Sequence, residues 1–163
     1  MTEPARSWIH LLLIDLLAGR VPKAAGRREE EWTRACAVAS EHGMLGVLAR
    51  AGRTGLLVPA EVDRRLQAAA LRTAASHRKN LAAAREVLEV LDRRGCEAMV
   101  LKGPRLVERY YHDPTLRSYG DIDVYVRPER LEASLDALGA AGYELVDRNW
   151  RMLVEGHRGQ LHL

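Results

Sequence analysis

The stretch Asp121-Ile122-Asp123-Val124-Tyr125-Val126 decides how the rest of the chain is read. Its alternation over 120–127 is that of a half-buried β-strand, and Pro128, which lacks an N–H for a ladder, ends it. Period two sets Asp121, Asp123 and Tyr125 on one face and turns Ile122, Val124 and Val126 toward a core. Carboxylates so spaced on a strand have Cα atoms about 6.5 Å apart, and their side chains can converge on one or two hard cations. Without a cation the pair repels itself. Mg2+, which accepts a few carboxylates together with substrate phosphates, is the natural ligand. The other reading is a strand face with two solvated carboxylates, and the triplet alone leaves both open.

The upstream segment favours the first. Cys96-Glu97-Ala98-Met99-Val100-Leu101 reads as a short apolar strand, and Lys102-Gly103-Pro104 turns it into a helix over about 104–111, with Pro104 in the first turn. Free N–H groups and the dipole at a helix start attract an anion. Gly103 lets backbone approach a phosphate closely, Lys102 adds a point charge, and Arg117, four residues before Asp121, is a second candidate contact for phosphate or substrate. An ordinary strand-to-helix turn would look the same, and neither GxxxxGK[ST] nor GxGxxG occurs.

Downstream, Glu129 to Ala141 reads as a helix with Leu131, Leu135 and Leu138 on one face and Gly142 as its stop. Tyr143-Glu144-Leu145-Val146 reads as a third strand, and Gln160-Leu161-His162-Leu163 as the start of a fourth. The first half has a different period. Helices are expected near 6–18, 28–42 and 44–52, with Gly and Pro punctuating the turns. A long helix follows from about Pro59 to Arg94. Its apolar stripe of Val62, Leu66, Ala69, Thr73, Leu81, Leu88 and Leu91 is weakest around Ser76-His77, where a break would fall. Along it, Arg64, Arg65, Arg72, Arg78, Lys79 and Arg85 suit a solvated face better than a polyanion.

A hydrophobic content of 47% with 29% charged residues excludes a disordered chain. The net charge of +3 suits an anionic ligand but is too weak to indicate nucleic acid. Arg in preference to Lys, abundant Ala and no Phe suggest a high-GC bacterial source. Cys36 and Cys96 stand far apart without CxxC or Cys/His metal spacing, as in reduced cysteines of a cytoplasmic protein. The apolar run from Trp8 to Leu17 is interrupted by His10 and Asp15 and falls short of the roughly 20 residues of a membrane span. It is expected to be an amphipathic helix.

Three motifs are linked: Leu101-Lys102-Gly103-Pro104-Arg105-Leu106, then Tyr110-Tyr111-His112-Asp113-Pro114-Thr115-Leu116-Arg117, then Asp121 through Val126. In this order they resemble the uncharacterised bacterial nucleotidyltransferase family of the polymerase-beta-like superfamily, whose members read LKG, then Y-x-D-P-x-L-R, then D-I-D-L-L-V. The helical first half and Gly142-Tyr143 resemble that family too, so the likeness covers nearly the whole chain.

The resemblance implies an α+β fold with a helical cap region over 1–94. A partial nucleotidyltransferase core over 95–163 would hold a small mixed β-sheet with packed helices. It implies Mg2+-dependent transfer of a nucleoside monophosphate from an NTP to a small-molecule or protein acceptor. By position, Asp121 and Asp123 are the catalytic carboxylates and the ligands of two Mg2+ ions. Gly103, with Lys102, faces the triphosphate.

The superfamily usually adds a third carboxylate from a later strand, in this family within a segment resembling V-D-L-H-W. Here Glu144, Asp147 and Glu155 are the only acids after the helix 129–141, and none stands in such a pattern. The core is therefore expected to be C-terminally incomplete. The alternative function is a truncated or non-catalytic module that binds nucleotide, metal or a partner without turnover. An unfinished sheet leaves an edge for a strand-completing partner or for a second copy in a homodimer. His157 and His162 lack a third ligand at suitable spacing and read as ordinary strand and loop histidines. Tyr110, Tyr111 and Tyr119 are expected to pack near the site rather than stack on a base, and Trp8, Trp32 and Trp150 to be core or cap aromatics.

Overall fold

Helical spacing of apolar residues shapes the chain as far as Asp92. In the computed structural model, which describes residues 4–20, 22 and 26–146, it yields α1 (Pro4–Leu17), α2 (Glu29–Glu41), α3 (Leu45–Arg53) and α4 (Ala60–Asp92). Ile9, Leu12, Leu13 and Leu16 recur on one face of α1 and are buried, while Leu11, Ile14 and Leu17 stay exposed. The acidic start of α2 suits the positive end of its dipole, and the Glu31 carboxylate accepts the Arg28 N–H at 3.0 Å.

The first three helices pack on one another and, with Val62, Leu66 and Ala70 of α4, enclose a core around Trp32 and Leu48. Each large side chain so buried contributes about 1.5–3 kcal/mol. Trp8 meets Trp32 edge to face with ring centroids 6.0 Å apart, and the Arg27 guanidinium lies 4.7 Å over Trp8. Both tryptophans are thus packing residues.

No break interrupts α4 at Ser76-His77. Its buried stripe runs through Val62, Leu66, Ala70, Ala74, His77, Ala84 and Leu91, so the imidazole occupies a place an apolar side chain would otherwise take. The six basic residues along the helix are exposed, and Arg64 and Arg65 both bond to Glu61, as a solvated face requires. No helix among the described residues is long and apolar enough to cross a membrane.

Two compact units make up the chain: Met1–Leu81 with Lys102–Asp121, and Ala82–Leu101 with Ile122–Leu163. In the first, the short α5 (Gly103–Leu106) passes into a π-helical turn, Val107–Tyr111. The His112 N–H donates to the Val107 carbonyl at 2.8 Å and His112 itself is left-handed at φ 53°. The regular helix expected over 104–111 is therefore half α and half π, because bonds from i to i+5 replace the tighter ladder.

In the second unit, β1 (Ala98–Leu101) pairs antiparallel with β2 (Asp123–Val126), in the register Ala98↔Val126, Met99↔Tyr125, Val100↔Val124 and Leu101↔Asp123. Ala98, Val124 and Val126 pack against a core of Val90, Leu91, Cys96, Ala137 and Leu138, while Met99 and Tyr125 face outward. The inward and outward alternation matches expectation, though the ladder begins at Asp123. Asp121 stands outside it, so the pleat fixes the face of Asp123 and Tyr125 only.

After a 3-10 turn at Pro128–Arg130 comes α6 (Leu131–Ala140), which supplies Ala137 and Leu138 to this core. The architecture is α+β, and among the described residues the sheet has two antiparallel strands. Tyr143–Val146 is not the third strand the alternation suggests. The Tyr143 N–H instead donates to the Leu138 carbonyl at 3.0 Å, closing the end of α6, and its ring joins the core. The strand expected over 160–163 lies outside the described residues.

Candidate functional site

The turn after β1 is the most constrained piece of backbone in the neighbourhood of the linked motifs. Lys102 sits at φ 44° and ψ −112°, a conformation that costs a residue with a Cβ on the order of 1–3 kcal/mol and persists only where its surroundings impose it. Its carbonyl accepts the Leu106 N–H at 2.7 Å, and Gly103 and Pro104 behind it are buried. Lys102 itself is exposed. Pro104 has no N–H, so the first-turn donors α5 can offer are those of Gly103 and Arg105.

Gly103 is where sequence and structure divide the work differently. A Cβ there would lie 2.6 Å from Cδ2 of the Tyr119 ring. The space the glycine leaves open is filled by an aromatic ring of the same unit. Tyr119 is held at both ends. Its hydroxyl lies 2.8 Å from Nδ1 of the buried His77, the tautomer of which decides who donates, and its carbonyl accepts from Asn80 Nδ2 at 3.3 Å. Burial pushes the ionisation of the Tyr119 phenol up, and the charge of Glu108 adds to it, so the hydroxyl stays neutral.

Neither His77 nor Asn80 was singled out by sequence. The one signal was the weak apolar stripe at Ser76-His77, where a polar residue stands on a buried face.

Arg117 lies two residues before Tyr119. Its Nε is buried and has no hydrogen-bond partner among the described residues, while its guanidinium stands 5.7 Å from the centroid of the Tyr111 ring. A buried, unmet donor costs about 1–3 kcal/mol, and on a guanidinium it is suited to a phosphate or carboxylate oxygen. Tyr110 and Tyr111 line a shallow depression with Leu16, Leu17, Val47, Arg50 and Leu116.

The segment leading into Arg117 is fixed by Asp113. Its carboxylate accepts the Thr115 N–H at 2.9 Å and the Thr115 hydroxyl at 2.6 Å. Burial alone would raise this carboxyl, but those two bonds, with the charges of Arg53 and Arg50, hold it below its ordinary value.

Of the residues expected at the site, Lys102, Gly103, Arg117 and Asp121 belong to one unit, whereas Asp123 opens β2 in the other. Asp121 is exposed and Asp123 half-buried. Among the described residues no three His, Cys, Asp or Glu side chains cluster as a ready-made cation cage. Asp121 and Asp123, two residues apart in sequence, are of the donor chemistry Mg2+ takes: one or two protein carboxylates, with phosphate and water oxygens filling its shell. Glu144 is exposed, and Asp147, Trp150, Glu155, His157 and His162 lie outside the described residues.

In a comparison with known families, a family model described as uncharacterised nucleotidyltransferase matches residues 28–162. No curated protein and no solved structure matches the chain.

Proposed function

The chain belongs to the uncharacterised nucleotidyltransferase family, and on that premise we propose that it transfers a nucleoside monophosphate from an NTP to a small-molecule or protein acceptor with Mg2+ as cofactor. The observation that carries this reading is the family match, whose span of 28–162 encloses every residue of the expected site.

In the reaction, an acceptor hydroxyl oxygen bonds to the α-phosphorus, the bond to the bridging oxygen of the β-phosphate breaks, and pyrophosphate leaves. The hydroxyl proton passes to a base or to water. Asp121 and Asp123 are the carboxylates that would hold the cation. When bound, Mg2+ supplies neutralisation of the charge that builds on the phosphate oxygens. Lys102 contributes a point charge, and the planar Arg117 fork offers its buried Nε–H to a phosphate oxygen. We place the reaction in the bacterial cytoplasm, where the free thiols Cys36 and Cys96 stay reduced.

The test is release of pyrophosphate from the four NTPs with Mg2+, using pooled cell metabolites and proteins as acceptors. Release that disappears in Asp121→Ala and Asp123→Ala supports the proposal. Binding of NTP without release under every acceptor pool would instead assign the fold a binding role.

A further inference from the structure

Building on the nucleotidyl-transfer reading, we propose that His77 and Tyr119 are positioning residues for the phosphate-binding turn. The His77 imidazole fixes the Tyr119 hydroxyl, and the Tyr119 ring, seated where Gly103 lacks a side chain, keeps Lys102 in its positive-φ conformation.

His77 is 8% exposed on a helix stripe otherwise made of aliphatic residues, and a buried imidazole without a partner destabilises a fold. Its partner is the Tyr119 hydroxyl at 2.8 Å, with the two rings edge to face at 5.9 Å between centroids. One helical turn on, Asn80 takes the Tyr119 carbonyl at 3.3 Å. Side chain and backbone of Tyr119 are thus tied to the same face of α4, and the ring between those ties cannot swing clear.

What the ring meets is Gly103. Its Cδ2, Cε2 and Cγ lie 2.6, 2.9 and 3.1 Å from the position a Cβ would take. Lys102, next in the chain, holds an unfavourable conformation that needs just such a neighbour to impose it. The same anchor bears on the other anion contacts. Arg117 and Asp121 each stand two residues from Tyr119, within a chain reach of about 7 Å. A fixed Tyr119 limits the travel of both. Neither His77 nor Tyr119 need touch phosphate; they act through the turn.

The probe is inorganic triphosphate with Mg2+, the moiety common to every NTP, titrated calorimetrically into the full chain. His77→Ala and Tyr119→Phe are each expected to weaken binding about tenfold, which is what one buried hydrogen bond of ordinary strength corresponds to. His77→Asn, whose amide stands where Nδ1 stood, is expected to restore it. A folded His77→Ala protein that binds triphosphate as tightly as the wild type overturns the proposal. Should His77→Ala fail to fold, Tyr119→Phe, which keeps the ring, reads the same bond.

A second readout needs no nucleotide. With the Tyr119 ring packed on Gly103, its ring current is expected to displace the Gly103 Hα resonance in the proton spectrum. That displacement should shrink in His77→Ala and in Tyr119→Phe and return in His77→Asn. An unchanged Gly103 signal in both weakened variants sinks the anchor. Failure of the wild type to bind triphosphate sinks the nucleotidyl-transfer reading, while the Gly103 signal still decides for or against the anchor.

Discussion

Gly46 of α3 and Thr115 lie so close that a Cβ on the glycine would stand 1.8 Å from the Thr115 carbonyl oxygen. The atom in the way is backbone, and Leu116 beside it is buried, so neither partner can step aside cheaply. Contact of this kind seats the segment carrying Asp113, Leu116 and Arg117 directly on the helix.

Gly46→Ala is therefore expected to lower stability by about 1–3 kcal/mol or more, the usual cost of overpacking. Gly139 makes the control, since it lies in α6 with nothing within 4 Å of its missing Cβ. Gly139→Ala should raise stability by about 0.5–1 kcal/mol through helix propensity. Thermal melts of the two variants must move in opposite directions.

Asp113 gives a pH dependence whose sign is fixed. Its carboxyl is held below the ordinary value of 3.8 when the chain is folded. The stabilisation it brings is complete above that value and is lost as pH falls through the lower folded one. Thr115→Val removes the hydroxyl bond and should flatten this part of the stability profile. Melting temperatures of wild type and variant should differ most near neutral pH and converge in acid.

Arg117 separates ligand binding from folding. Because its Nε has no partner among the described residues, Arg117→Met removes an unmet donor while keeping bulk over Tyr111. Its melting temperature without nucleotide should match or exceed that of the wild type, whereas NTP binding should fall by about tenfold or more. A variant that melts early and binds normally would show that the guanidinium serves packing alone.

The exposed pair between Arg127 Nε and Glu97 at 2.9 Å joins the ends of the two strands, yet both side chains are largely in solvent. Glu97→Ala should change stability by about 0.5 kcal/mol or less, and the change should vanish in high salt. Denaturant titrations at two ionic strengths check it.

Much of this fold is written in local spacing. Ile9, Leu12, Leu13 and Leu16 mark one face of α1, and Val124 and Val126 mark the inner face of β2, because burial selects side chains at the period of the backbone. What spacing cannot record is who takes a hydrogen bond. Tyr143-Glu144-Leu145-Val146 alternates like a strand, but the Tyr143 N–H is spent on the end of α6. Five residues are also too few for apolar pattern to tell the π turn Val107–Tyr111 from an α-helix.

The site was legible to a different depth at each residue. Lys102, Gly103, Arg117, Asp121 and Asp123 stand out by type and motif. The partner of Gly103 does not, because Tyr119 reaches it only once the chain is folded, and His77 is 42 residues from Tyr119. From sequence the opening at Gly103 looked reserved for a ligand, and the ring that fills it left no local trace.

The chain enters each of its two units twice, changing over at Leu81/Ala82, Leu101/Lys102 and Asp121/Ile122. Neither unit corresponds to an uninterrupted stretch of gene. A single cut anywhere from 82 to 121 would sever at least one of them, so neither unit is obtained whole by a simple truncation of the chain.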